Sequence, residues 1–214
     1  MAQDYAASVL GAAIRVSRLN ADGTLAGGAS GSYVQTAFIR VSMTPEYEAG
    51  DEINQKGANG ITCVTFKAPD SLKRVNLEVS ICNPDPEFEE MIAGGVILSA
   101  GGQSVGYAAP LVGEDANPNG VALEVWSQAI QGGKRASTNP YWHWVIPYAT
   151  LRPSGDRVVE NGLMANVYSG FGLGNANFLT GPVGEWPFIS TRPYQYARTD
   201  TAPIGLQGYQ AVTP

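Results

Sequence analysis

The sequence predicts a mainly β protein with one short helix. In its longest patterned runs apolar residues alternate with period two and not 3.6, so side chains at i and i+2 share a face, as on a strand. Glycine and proline, 26 and 14 of 214 residues, punctuate the chain at turn spacing. Charged residues make up 15%, against a usual ~25%, so much of the surface is turn or is covered by neighbours.

In chain order, residues 1–10 are small and weakly patterned and read as an N-terminal arm. A domain over 11–170 follows. Gly11–Leu19 sets Ala12, Ile14 and Val16 against Ala13, Arg15 and Ser17 as a first strand, residues 20–32 form a glycine-rich loop, and Tyr33–Met43 is a second strand with bulk on both faces. Ile61–Lys67 is a third. Between them, TPEYEAGDEINQKGANG (44–60) is too long and polar for a hairpin turn and reads as a surface loop, functional or mobile. Leu72–Cys82 alternates cleanly, with Val75, Leu77, Val79 and Ile81 against Asn76, Glu78 and Ser80.

Residues 83–95 carry the one strong helix signal. Asp85 is placed to cap, Pro86 opens the first turn, Glu87, Glu89 and Glu90 lie near the positive end of the dipole, and Gly94 stops the helix. Phe88, Met91 and Ile92 make its buried face. Short strands follow at Val96–Leu98 and Gln103–Leu111.

Val121–Ile130 and Tyr141–Leu151 read as adjacent strands and hold three of the four tryptophans. In the first, Val121, Leu123 and Val125 face one way and Ala122, Glu124, Trp126 and Gln128 the other. The second is bulky on both faces and must be covered on both. Pro147 cannot donate to a ladder, which places this strand at an edge or a bulge; an edge is the expectation, with a second copy of the chain as its cover. Leu163–Tyr168 is the last strand. Residues 171–214 have glycine or proline every few positions, aromatics between them and no periodicity, so they read as an extended C-terminal arm lying on another surface.

Net charge is −6 and uneven: −2 over residues 1–60 (four basic, six acidic), −5 over 61–120 (three, eight) and +1 over 121–214 (six, five). That balance lacks the basic footprint of groove or sequence-specific nucleic-acid binding. The opening Met-Ala-Gln-Asp is not a basic leader and no apolar stretch approaches ~20 residues, so neither export nor membrane insertion is expected. Cys63 and Cys82 sit in strand-like runs and are expected to be buried free thiols. His143, the only histidine, lies between Trp142 and Trp144 and reads as structural; it and two isolated cysteines do not supply a zinc set. Neither a dinucleotide fingerprint, a P-loop nor a nucleophile elbow is present. The expectation is a non-enzymatic protein with no catalytic residue, metal or cofactor.

The order TFKAPDSLKRVNLEVSICNPDPEFEEMIAGG, VALEVWSQA, YWHWVIPYATLRPSGDRVVENG and GFGLGNANFLTGPVGEWPF resembles the major tail proteins, or tail tube subunits, of long-tailed bacteriophages, notably those infecting actinobacteria. The resemblance covers about residues 60–190. It implies a β-sandwich with one short helix, an inner sheet closing into a hexameric β-barrel ring, rings stacked into a tube, and terminal arms between subunits. The length leaves no room for the immunoglobulin-like domain that some relatives append. By position, the 44–60 loop corresponds to the family's ring-stacking loop, with Glu46, Glu48, Asp51, Glu52 and Lys56 as its contacts. Candidate lumen residues are Asn76, Glu78 and Ser80 from one strand and Glu124 and Gln128 from another, since these are the cleanest polar faces. Phe178, Trp186, Phe188, Tyr194 and Tyr196 are the candidate anchors of the C-terminal arm. Implied partners are further copies of the chain and the tape measure, tail terminator and distal tail proteins; DNA passes through the virion tail without specific binding, eased by like charge. A different class stays open: a monomeric β-sandwich that binds carbohydrate on Trp126, Trp142 or Trp144, or another virion structural protein.

Overall fold

A computed structural model describes residues 5–114, 117–157, 161, 166–179, 186, 188–203 and 206–213. Among these residues the chain is mainly β. Its elements are β1 (Ala7–Arg18), β2 (Gly28–Gln35), β3 (Phe38–Glu48), β4 (Glu52–Lys56), β5 (Thr62–Lys67), β6 (Ser71–Ile81), α1 (Pro86–Ala93), β7 (Val96–Ala100), β8 (Gln103–Ala108), β9 (Val121–Gln131), β10 (Lys134–Arg135), β11 (Tyr141–Ser154), β12 (Asn166–Leu173), β13 (Gln195–Thr199) and β14 (Gly208–Val212). Ten strands form one antiparallel sheet in the order β14-β2-β1-β9-β11-β12-β6-β3, with β10 beside β9 and β13 beside β11. The hairpins β4–β5 and β7–β8 stand apart from it.

The helix forms as its local signals dictate. Asp85 accepts a hydrogen bond from the Phe88 backbone N–H at 3.1 Å, and Gly94 closes the other end at φ 70°, a conformation that costs glycine nothing. Asp85 also accepts from the Tyr33 hydroxyl at 2.9 and 3.0 Å and from Gln35 Nε2 at 2.6 Å, so one carboxylate ties the helix cap to β2. Burial pushes its carboxyl above the ordinary range, with the Phe88 N–H and the Tyr33 hydroxyl pulling against that shift. Glu89 is buried and pairs with Arg157, and Glu90 pairs with Arg18 at 2.5 Å, so two of the three glutamates do more than meet the dipole.

Phe88, Met91 and Ile92 close the main core with Ile14, Val16, Val75, Leu77, Val79, Ile81, Leu123, Ile146 and Tyr168. The sheet curls around this core until Phe38 of β3 lies over Gly11 of β1, so close that a Cβ at Gly11 would fall 2.1 Å from the ring. The core thus sits between two halves of one continuous sheet.

Several expectations are corrected. The strand expected at 33–43 is broken at Thr36-Ala37 into β2 and β3, and the first strand begins at Ala7, whose stretch to Val9 pairs with β9. The 44–60 segment is not a loop: β3 runs on to Glu48, and β4 pairs with β5 in a hairpin. Pro147 does not mark an edge. β11 lies between β9 and β12, and the register shifts between Ile146 and Ala149, so the missing N–H is absorbed by a bulge. Cys63 is exposed on β5 and Cys82 is half-buried; both are free thiols. The expected strand at 163–168 is seen from Asn166, as β12, and its first three positions lie outside the described residues.

Asp85→Ala removes a cap and orphans two buried donors at once, so it is expected to lower stability by about 2–4 kcal/mol in urea denaturation.

Candidate functional site

The β4–β5 hairpin places its candidate residues by register. Ile53 is opposite Phe66 and Gln55 opposite Val64, which puts Ile53, Val64 and Phe66 on one face; Glu52 and Lys67 pair on the reverse. These three side chains are 56%, 53% and 56% exposed. Ile61 near the tip is exposed as well. Of the residues expected to make ring contacts, Glu52 and Lys56 lie on β4, Asp51 leads into it, and Glu48 ends β3. Glu46 belongs to the main sheet, where it accepts from Arg74 Nε at 2.8 Å and Asn76 Nδ2 at 2.9 Å; those two donors hold its carboxyl below the ordinary range. The apolar face is the feature that charge-based reading missed, although the alternation of Val64 and Phe66 signalled it.

The second region is the side of the sheet turned away from α1. Over β3, β6, β12 and β11 the register lines up Thr44, Asn76, Phe171 and Thr150, then Ser42, Glu78, Ser169 and Arg152, then Arg40, Ser80 and Val167. All are exposed or half-buried. The strip is polar and carries two ion pairs, Arg40 with Glu78 and Arg74 with Glu46, and Arg152 adds a further cation, so these residues carry one positive charge in excess. Asn76, Glu78 and Ser80 therefore lie together, as expected of a common polar face.

Glu124 and Gln128 do not join them. They lie on the same side of the sheet, but there the C-terminal segment packs over it. Glu124 is 2% exposed, and receives Arg15 Nε at 2.7 Å on one oxygen and Arg15 Nη2 at 2.9 Å on the other. His143 Nε2 lies 3.0 Å from the same carboxylate, and Trp126 stacks on the imidazole at 4.2 Å and 10°. Burial alone would raise the Glu124 carboxyl; the Arg15 charge and the hydrogen bonds from His143 and Arg15 outweigh it and bring it down to about 2. The expectation that Glu124 meets water is corrected by this pairing, and Gln128 is half-buried. The sequence did hold a signal, because Arg15 and Glu124 sit at facing positions of otherwise apolar strands.

The C-terminal anchors also pack at home. Phe178 is buried with Leu19, Leu25, Ala122, Val145 and Val212, and Trp186 and Phe188 lie against that cluster. Tyr194 packs on the main core, and Tyr196 lies against Trp144 with ring centroids 4.3 Å apart and planes tilted by 31°. β13 pairs with β11, and β14 with β2. The described part of 171–214 is thus strand and cover on its own sheet, where an arm on a neighbour was expected. Residues 180–185 and 187, 204–205 and 214 of that arm, and 1–4 of the N-terminal one, lie outside the described residues.

No protein-family model matches this chain, and no curated protein does. Among the described residues no cluster of three or more His, Cys, Asp or Glu side chains could hold a metal, and no helix is long and apolar enough to cross a membrane.

The depressed Glu124 carboxyl stabilises the fold above its ordinary range, near 4.5, and that contribution is lost as pH falls toward about 2. Glu124→Gln leaves Arg15 buried without its counter-charge and is expected to cost about 3–5 kcal/mol at neutral pH. Thermal unfolding of both proteins across this acid range checks it, because the variant should lose stability less steeply.

Proposed function

We propose that this protein is a structural, non-enzymatic subunit of a phage-type tail tube, in which copies close into hexameric rings, the rings stack, and DNA passes from capsid to host without specific binding. Its place is then the virion tail, beside the tape measure, tail terminator and distal tail proteins. The observation that carries the reading is the β4–β5 hairpin, which holds Ile53, Val64 and Phe66 in water. A two-stranded hairpin is marginal alone and gains stability from a covered apolar face. Contact with the next ring supplies such a cover. The polar strip around Asn76, Glu78 and Ser80 supports the same reading as a channel lining in which two ion pairs cancel most of the charge and Arg152 is the one cation left over among these residues.

The alternative of a monomeric carbohydrate-binding module loses support at its platform. Trp126 is buried under His143, and the Trp142 indole N–H donates to the Ala6 carbonyl at 3.1 Å.

β3 and β6 pair with each other as far as Glu48 and Ser71, so residues 49–70 can be replaced by a two-residue turn without cutting the sheet. The shortened subunit is expected to keep a cooperative thermal unfolding transition and to form no tubes in negative-stain images; tubes of ordinary length would refute the reading. Glu78→Lys frees Arg40 and adds a cation to the strip. Particles carrying it are expected to assemble and to release DNA more slowly at low salt, the difference fading as salt screens it.

A further inference from the structure

The indole N–H of Trp186 points at His143 Nδ1, 3.1 Å away. An indole nitrogen can only donate, so Nδ1 must accept and carries no proton. The ring's one proton then sits on Nε2 and is donated to Glu124 Oε1 at 3.0 Å. The bond to Trp186 therefore exists only while the imidazole is neutral. We infer that His143 is an acid-sensitive clasp that fastens the C-terminal segment to the sheet at neutral pH and lets it go on protonation.

The surroundings give the clasp its two states. His143 is 2% exposed, held between Trp126, stacked on one face, and Trp186, edge-on at 5.7 Å and 86°. Among the described residues the charged groups facing it are Glu124 from β9 and, on the same carboxylate, Arg15 from β1; β13 brings Ala197 opposite it, and the C-terminal segment brings Trp186. A second ring proton can only go to Nδ1. That turns an acceptor into a donor facing a donor, while Glu124 still receives Nε2–H, its one negative charge now shared between the imidazolium and Arg15.

What is released follows from the packing. Trp186 touches Phe188 at 5.4 Å, and Phe188 touches Phe178 at 5.5 Å. Behind them lie Ala122 and Val145. Loosening Trp186 thus uncovers an apolar strip on the far face of β9 and β11. The inference concerns the free subunit and does not depend on the tube reading.

The chain has one histidine, so selective 15N-histidine labelling of the full protein yields a single pair of ring signals. At about pH 7.5 these are expected to show a protonated Nε2 and a bare Nδ1; on acidification from there to about pH 5, Nδ1 should take its proton. Over the same interval hydrogen exchange at residues 188–199, corrected for the intrinsic pH effect, should quicken about tenfold, the scale of one buried hydrogen bond lost with its donor stranded. Trp186→Phe should keep the ring titration and lose the pH dependence of exchange. His143→Asn, whose carbonyl can accept from Trp186 at every pH, should stay slow throughout. The inference is overturned by an Nδ1–H tautomer at neutral pH, by a ring that stays neutral to about pH 5, by protonation without faster exchange, or by the wild-type pH dependence persisting in Trp186→Phe.

Discussion

The architecture turns on a proline in the longest strand. β11 runs fourteen residues, and Pro147 has no N–H to give at its middle. On one side β9 accompanies the strand and absorbs the defect as a register shift. On the other the partner changes, from β13 along Tyr141–Val145 to β12 along Tyr148–Ser154. The change of neighbour divides one sheet into two territories. In one the strands lie under the C-terminal segment; in the other they run out to β6 and β3 and leave a polar face open.

The territories solve the same problem differently. Every strand near the centre buries its α1-facing side chains in the main core. On the opposite side the β1–β9–β11 region buries Arg15, Glu124 and His143 under aromatic residues, and each of these polar groups has a partner. A buried charge is tolerable only when paired and hydrogen-bonded, and the ion pair beneath the C-terminal segment meets that condition. Over β3, β6 and β12 no such cover is needed, because Asn76, Ser80, Ser42 and Thr44 are solvated, and the glutamates and arginines pair at the surface. Such exposed pairs contribute little stability; their effect is to make a polar surface nearly neutral. Ile53, Ile61, Val64 and Phe66 on one hairpin and Val96, Leu98 and Val105 on the other remain in water outside both territories.

Much was legible in the chain itself wherever the determinants are local. Asp85, Pro86, Phe88, Met91, Ile92 and Gly94 specify a capped amphipathic helix within ten residues, and the alternation from Val75 to Ile81 specifies a strand with one buried face, because capping and period-two patterning act over a few bonds. The tertiary structure alone decided the rest. A missing proline N–H can be met by an edge or a bulge, and only the arrival of β12 and β13 on the same side of β11 selects the bulge. The polar residues from 49 to 60 carry no sign of a hairpin until β5 is folded back against them, and Cys63 is exposed because that hairpin stands off the core. Glu124 and Glu78 look alike in sequence, each a carboxylate on the polar side of a patterned strand. Arg15 and the C-terminal segment come to one and not the other, and since Arg15 is 109 positions from Glu124 and Trp186 is 43 from His143 along the chain, long-range packing determines which carboxylate is buried and which meets water.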